Sequence, residues 1–162
     1  MALQLTTIQS IEAYFTALAT GVNGHKEIDG IKFGEGDVLK EANRTGLEGR
    51  FIHVSEYDRA QATGTSDNLH VTKEIKIGYY KKPVDGTWAN QQLGKQQCEN
   101  VIKQIIAKLI TDKQAGVINT RIENYSWELG MYEIGSTQYC GCELTITFMD
   151  NTGFSYDATK WN

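Results

Sequence analysis

The residues of this chain with the most chemistry to offer are three cysteines, three histidines and one Glu-x-Lys step. Cys140-Gly141-Cys142 sets two thiols two residues apart. On a strand, residues i and i+2 share a face, so the pair could grip one metal ion. A structural zinc site wants about four ligands, usually with two to four residues between paired cysteines. Here the spacing is tighter, and only Cys98 and the scattered His25, His53 and His70 remain to complete a set. The alternation continues through Leu144, Ile146 and Phe148, which reads both thiols as core residues, the usual place of a free cysteine. No metal ligand is assigned, and no base stands ready to activate a thiol. Three cysteines cannot all pair within one chain, which suits free thiols in a reducing compartment.

Glu74-Ile75-Lys76 matches half of a metal-dependent nuclease site, in which one strand presents a carboxylate for magnesium and a lysine for the attacking water. An aspartate from the adjacent strand would complete it, and Asp58 and Asp67 are the nearby choices. Alternating charge on the solvent face of a strand accounts for the same residues. His53 and His70 could approach each other across a hairpin, or sit as satisfied sheet histidines. Tyr79, Tyr80 and Trp88 beside Lys81 and Lys82 could stack on single-stranded nucleic acid. The chain, however, carries 16 basic against 20 acidic residues, a net charge of −4, with no wider basic patch to hold a phosphate backbone. No nucleophile elbow, phosphate-binding loop or dinucleotide fingerprint occurs. No catalytic residue and no cofactor is therefore assigned.

These residues need elements to position them. At 162 residues, with 40% hydrophobic and 22% charged side chains, the chain is long enough for one domain with a real core. No run of roughly 20 apolar residues could span a bilayer. Met1 to Gly21 lacks a basic leader region, so the chain reads as soluble and made in a cytoplasm. Leu3, Ile8, Ile11, Phe15, Leu18 and Val22 recur at helical spacing. That predicts a helix capped by Thr6 or Thr7 and ended by Gly21 and Gly24 in the left-handed conformation. Residues 23–49 are punctuated by glycine and read as a connector, with a short strand or turn at Ile28–Phe33 and a helical turn at Val38–Ala42. Phe51–Tyr57 and Leu69–Lys82 alternate as strands, and the polar stretch Asp58–Asn68 between them reads as a long mobile hairpin tip.

Asn90 is a candidate N-cap for an amphipathic helix over Leu93–Ile110. Its apolar stripe holds Leu93, Cys98, Val101, Ile102, Ile105, Ile106, Leu109 and Ile110, and Gly116 marks its exit. Val117–Leu129 and Tyr139–Met149 form a second hairpin, followed by the tail Asp150–Asn162. The expected fold is α+β: a mainly antiparallel sheet of two hairpins with helices on one face, in the order α-β-β-α-β-β. Phe154, Tyr156 and Trp161 give the tail aromatic anchors, suited to docking on its own sheet or on a neighbouring chain.

The opening helix Ile8–Val22, the hairpin Phe51–Lys82, the helix Leu93–Ile110 and the closing strands resemble the tail-terminator and neck proteins of tailed bacteriophages and related contractile injection machines. The stretch from Val71-Thr72-Lys73-Glu74-Ile75-Lys76-Ile77 to the end carries the likeness, and the insert Asn23–Gly49 has no counterpart. The resemblance implies a non-enzymatic virion protein, assembled in the host cytoplasm. It implies a homo-oligomeric ring, typically of six subunits, that caps the tail tube protein and joins it to a neck or connector protein. DNA would slide through the lumen without specific binding, and no membrane is involved. The expected contact surfaces are the hairpin tip with Asp58, Arg59, Asp67 and Asn68, the strand face with Lys76 and Tyr80, and the tail with Phe154, Tyr156 and Trp161. The alternatives weighed beside it are a nuclease-like enzyme using Glu74 and Lys76, and a monomeric binding module.

Overall fold

A computed structural model describes residues 3–5, 7–34, 49–65, 68–134, 136–150 and 157–162, with the backbone alone at residues 56–59, 63, 68 and 150. The expected helical turn at Val38–Ala42 lies outside the described residues. The opening helix, α1, spans Ile8–Thr20. Thr7 caps it: its Oγ1 accepts from the Ser10 N–H at 3.2 Å, and the Ser10 hydroxyl answers the Thr7 N–H at 3.3 Å. Gly21 ends the helix with extended backbone (φ −70°, ψ 175°), not in the left-handed conformation expected from its type. It is still needed, because a Cβ there would stand 2.5 Å from the Ala17 carbonyl oxygen.

Three strands follow. β1 (Gly30–Gly34) pairs in parallel with β2 (Phe51–Thr65), and β2 pairs antiparallel with β3 (Asn68–Lys81). The long helix α2 covers Trp88–Gln114 and leads to the antiparallel hairpin of β4 (Arg121–Ile134) and β5 (Thr137–Asp150). The sheet order β1-β2-β3-β5-β4 joins the two hairpins through the β3–β5 pairing, as two α-helices pack on one face. The α+β class with a mainly antiparallel sheet therefore holds. The short strand or turn expected at Ile28–Phe33 is strand β1, Gly30–Gly34, which joins the sheet as a fifth strand beside β2.

Two boundaries move for local reasons. Asp85 Oδ1 accepts from both the N–H and the hydroxyl of Thr87, which sets Thr87 and not Asn90 as the cap of α2 and starts the helix at Trp88. The described part of the expected mobile tip at Asp58–Asn68 is strand: Arg59–Thr65 pairs residue for residue with Asn68–Glu74. Threonines and small residues accept an extended backbone when a partner strand supplies the hydrogen bonds, which a reading of single residues cannot see. The register breaks only between Ser55 and Arg59. There the Ser55 hydroxyl both accepts from the Lys76 N–H at 3.1 Å and donates to the Lys76 carbonyl at 3.3 Å.

The core lies between the helices and the sheet. α1 covers β1 and β2, and α2 covers β3, β4 and β5. Ile11, Phe15 and Leu18 of α1 and Val101, Ile102, Ile105 and Leu109 of α2 bury against Ile52, Val54, Ile75, Ile77, Leu144, Ile146 and Phe148. Ile105 is buried as its spacing predicts, and Ile106 is partly buried beside it. Leu93 and Ile110, placed on the same stripe from sequence, are exposed. Both sit near its margins, where 3.6-residue periodicity rotates a side chain off the contact line. One polar tie crosses this core. The Tyr14 hydroxyl donates to Asp112 Oδ2 at 2.7 Å, and Lys108 holds Oδ1 at 3.1 Å. Burial and then the Asp112 carboxylate push the Tyr14 phenol well above its ordinary value, so it stays a donor.

Candidate interaction surfaces

The expected contact residues separate into distinct places. Asp58 and Arg59 lie on β2 at the break in its ladder, and Asn68 opens β3 opposite Thr65. Asp67, Phe154 and Tyr156 lie outside the described residues. Trp161 is exposed just after a short 3-10 turn, Ala158–Lys160, which Asp157 caps through the Thr159 N–H and hydroxyl. Lys76 is exposed on the helix-free face of the sheet, with its ammonium 3.6 Å from Glu143 Oε2. Tyr80 is not a surface residue: it is 2% exposed.

The burial of Tyr80 has a specific cause. On the helix-free face, Phe51, Tyr80, Ile134 and Tyr139 bury together, with Tyr132 packed against them. Ring centroids lie 5.4 Å apart for Phe51–Tyr80, 5.6 Å for Phe51–Tyr139 and 5.3 Å for Tyr80–Tyr132. Three strand glycines make room for these rings. A Cβ on Gly141 would meet both Tyr132 and Tyr80 at 2.7 Å, one on Gly130 would meet Tyr132 at 3.0 Å, and one on Gly78 would collide with Tyr80. Aromatic rings laid over strand glycines cover the backbone those residues leave bare. The second tyrosine of Gly78-Tyr79-Tyr80 is thus the key to a small second core, whereas Tyr79 points into the main one and donates to the Glu27 carbonyl at 2.7 Å.

The three thiols are buried, Cys140 and Cys142 as their register with Leu144, Ile146 and Phe148 predicts, and Cys98 as its place on the apolar stripe of the long helix predicts. Cys98 Sγ donates to the Cys140 carbonyl at 3.4 Å, and burial pushes the Cys98 and Cys142 thiols up to about 12. Among the described residues, no group of three His, Cys, Asp or Glu side chains is arranged to hold a metal. Glu74 stands in backbone register with Arg59 and Thr147 of its two neighbouring strands, while the Lys76 ammonium is taken up by Glu143. His53 and His70 do not meet. His70 pairs with Thr63, ten residues along β2 from His53, or roughly 33 Å at strand spacing.

The surface that sequence reading missed is the open flank of β4. This strand stands at one end of the sheet order, so one side of its 14-residue backbone has no strand partner among the described residues. Trp127 and Leu129 project from its helix side, opposite Leu144 and Cys142, yet they are 39% and 44% exposed. The Trp127 indole donates to Glu99 of α2 at 3.2 Å, and Lys103 holds the same carboxylate at 3.0 Å. Trp88, Ile106 and Ile110 fall 11 residues before and 7 and 11 after Glu99, which places them along that flank of the helix. Trp88 and Ile110 are exposed, so the groove between α2 and β4 carries four of the large exposed hydrophobic side chains. The sequence shows Trp127 and Leu129 as alternating apolar residues. It does not show that the strand holding them has one neighbour instead of two.

No helix among the described residues is long and apolar enough to cross a membrane. No protein-family model matches the chain. A search of curated proteins likewise finds no match.

Proposed function

We propose that this chain is a structural protein of a phage-like tail, forming a homo-oligomeric ring that caps the tail tube and joins it to the neck or connector. The observation that carries this reading is the open β4 flank. A long unpaired edge strand bordered by exposed Trp88, Ile110, Trp127 and Leu129 is a surface that monomeric proteins ordinarily blunt or cover. Proline, one of the usual blunting devices, is absent from it, since Pro83 is the chain's one proline.

Further support comes from the hairpin β2–β3. Its distal half is fully paired, yet Ala60, Gln61, Ala62, Gly64 and Thr65 are exposed, so it projects backbone and small side chains for a neighbouring subunit or the tube below. The resemblance of the chain to tail-terminator and neck proteins implies a ring that is typically of six copies. A net charge of −4 suits a lumen through which DNA slides without sticking. In this reading the chain is not an enzyme, and its place is the virion, assembled in the host cytoplasm.

The test is the mass of the full chain in solution and on purified tail tubes, by light scattering and electron microscopy. A ring, free or seated at one tube end, is expected. Trp88→Gln together with Ile110→Gln, at exposed positions of the same flank, should abolish it while leaving the melting curve close to the parent. A protein that stays monomeric in the presence of tubes, or a single copy per assembled particle, overturns the reading.

A further inference from the structure

The sheet ends on two different strands. β4 closes one end of the order β1-β2-β3-β5-β4 and β1 the other, so each has a flank with no strand beside it among the described residues. Their side chains alternate in the same way. On β4, Trp127 and Leu129 share the helix side with Leu144 and Cys142, and Glu128 lies between them on the helix-free side. On β1, Ile31 and Phe33 pack against the main core, and Lys32 between them stands in register with His53 on the helix-free side. Each edge therefore carries an apolar, charged, apolar triplet, with charges of opposite sign on the same face.

The charge on β4 is not balanced within the chain. Glu128 is exposed and stands directly opposite Glu143 of β5. Like charges across a ladder repel. Lys76 lies in the same shallow depression of the face, and its ammonium is 3.6 Å from Glu143. One ammonium against two carboxylates leaves a negative charge at the edge. Lys32 of β1 is half-buried and makes no ion pair among the described residues.

Strand direction completes the match. β1 runs parallel to β2, and each later step through β3, β5 and β4 is antiparallel, so β1 and β4 run in opposite directions. A second copy that continues the sheet, helices on the same face, brings an antiparallel β1 to the β4 edge. Setting Lys32 opposite Glu128 then puts Phe33 opposite Trp127 and Ile31 opposite Leu129. A second β4 is the poorer occupant. A two-fold contact centred on Glu128 sets carboxylate against carboxylate, and any two-fold contact of β4 with itself closes at two copies and makes no ring.

We propose that β1 of a second copy adds to the β4 edge as an antiparallel strand, in the register Lys32–Glu128. This names the subunit contact of the ring and rests on that reading. Backbone hydrogen bonds supply the attachment, and the two apolar pairs and the one ion pair fix the register. Repeated head to tail, the contact uses both edges of every copy and leaves neither bare once the ring closes. It also brings the second copy's α1, which packs on β1 and β2, toward α2, where Trp88 and Ile110 are exposed.

The experiment uses the full chain, free and with tail tubes. Lys32→Glu and Glu128→Lys should each raise the concentration needed for association roughly tenfold or more, and the two changes in one chain should restore it. Under mild oxidation a Lys32→Cys chain should cross-link to a Glu128→Cys chain, and neither should cross-link to itself. The native thiols are buried and do not compete. Association unchanged by both single reversals, or a Glu128→Cys chain that cross-links to itself, overturns the pairing. So does a double reversal that melts like the parent and stays dissociated. The pairing and the ring fail separately. A parent ring with no cross-link between positions 32 and 128 removes the pairing alone, and cross-linked open oligomers that never close remove the ring alone. Neither ring nor cross-link removes both.

Discussion

The two halves of the β2–β3 hairpin have the same backbone pairing and opposite surroundings. Near its open end, Phe51–Ser55 pairs with Lys76–Tyr80, and every β2 side chain there is buried. Ile52, Val54, Ile77 and Tyr79 face the helices, while Phe51 and Tyr80 face the second aromatic cluster. Toward the turn, Arg59–Thr65 pairs with Asn68–Glu74, but Ala60, Gln61, Ala62, Gly64 and Thr65 are exposed and Leu69 and Val71 are half-buried. A strand ladder exchanges hydrogen bonds to water for hydrogen bonds to protein and gains little per bond, about 0.5–1.5 kcal/mol. Apolar burial adds about 25 cal/mol per Å². The end near residues 51 and 81 therefore contributes to the stability of the domain. The end near the turn is held by the rest and is available for contacts outside the chain.

The strongest probe of this contrast is a pair of truncations on the same face of β3. Ile77→Ala leaves a hole between the helices and the sheet and should cost about 2–5 kcal/mol. Val71→Ala, six residues away beyond the core, should cost about 1 kcal/mol or less. Thermal unfolding checks both, at roughly 2–4 °C for each kcal/mol in a chain of this size. Equal shifts would mean that the hairpin is buried along its whole length.

Gly141→Ala tests whether the helix-free face has a core of its own. The added methyl would press on Tyr80 and Tyr132 and should cost about 1–3 kcal/mol. Gly86→Ala, with open space around its Cβ position, is the control and should leave the melting temperature within about 2 °C. Near-UV circular dichroism, which reports on the packed tyrosines, should change in the first variant and not in the second.

A smaller effect on the fold is expected from removing the turn-proximal half of the hairpin. Deleting residues 62–71 and joining Gln61 to Thr72 through Asn-Gly keeps a closing pair of the same type as Thr65 and Asn68, because the two pairs are four residues apart along a ladder that alternates every residue. The melting temperature should fall by only a few degrees, about 1–2 kcal/mol of unfolding free energy, while ring formation on tail tubes is lost. In the intact free chain, hydrogen exchange should show fast amides at Gln61–Thr65 and slow ones at Ile52–Val54. A deletion variant that assembles normally would leave the projecting half without a role.

The smallest effect concerns pH at the start of β2. Arg50 makes paired bonds to Asp29, Nε to Oδ2 at 2.9 Å and Nη2 to Oδ1 at 2.9 Å, and its N–H adds a third to Oδ2 at 3.1 Å. These hold the Asp29 carboxyl below its ordinary value. A depressed folded-state value means stability that is present above the unfolded-state value, near 4, and is lost as pH falls through the folded-state one. Both side chains are partly solvent-exposed, so the loss should amount to no more than about 1 kcal/mol. Asp29→Asn should flatten the decline between pH 5 and pH 3 if this pair is its source.

Periodicity carries most of the architecture. The apolar spacing of Ile11, Phe15 and Leu18, and of Val101, Ile102, Ile105 and Leu109, is enough to define two helices and their buried faces. The alternation of Ile75, Ile77 and Tyr79, and of Cys140, Cys142, Leu144, Ile146 and Phe148, does the same for the central strands. Such patterns survive in one dimension because a helix or strand repeats its geometry every few residues. The α+β class and the burial of the thiols follow from them. Three other features depend on which strand lies beside which. Asp58–Asn68 reads as a loop until a partner strand supplies its hydrogen bonds. Tyr80 reads as exposed until Gly78 and Gly141 are brought beneath its ring. Trp127 and Leu129 read only as apolar residues of a strand until β4 is placed at an edge, where α2 reaches only part of their surface. Each of these is a pairwise relation between distant segments, so only the folded arrangement of β3, β5 and β4 could settle them.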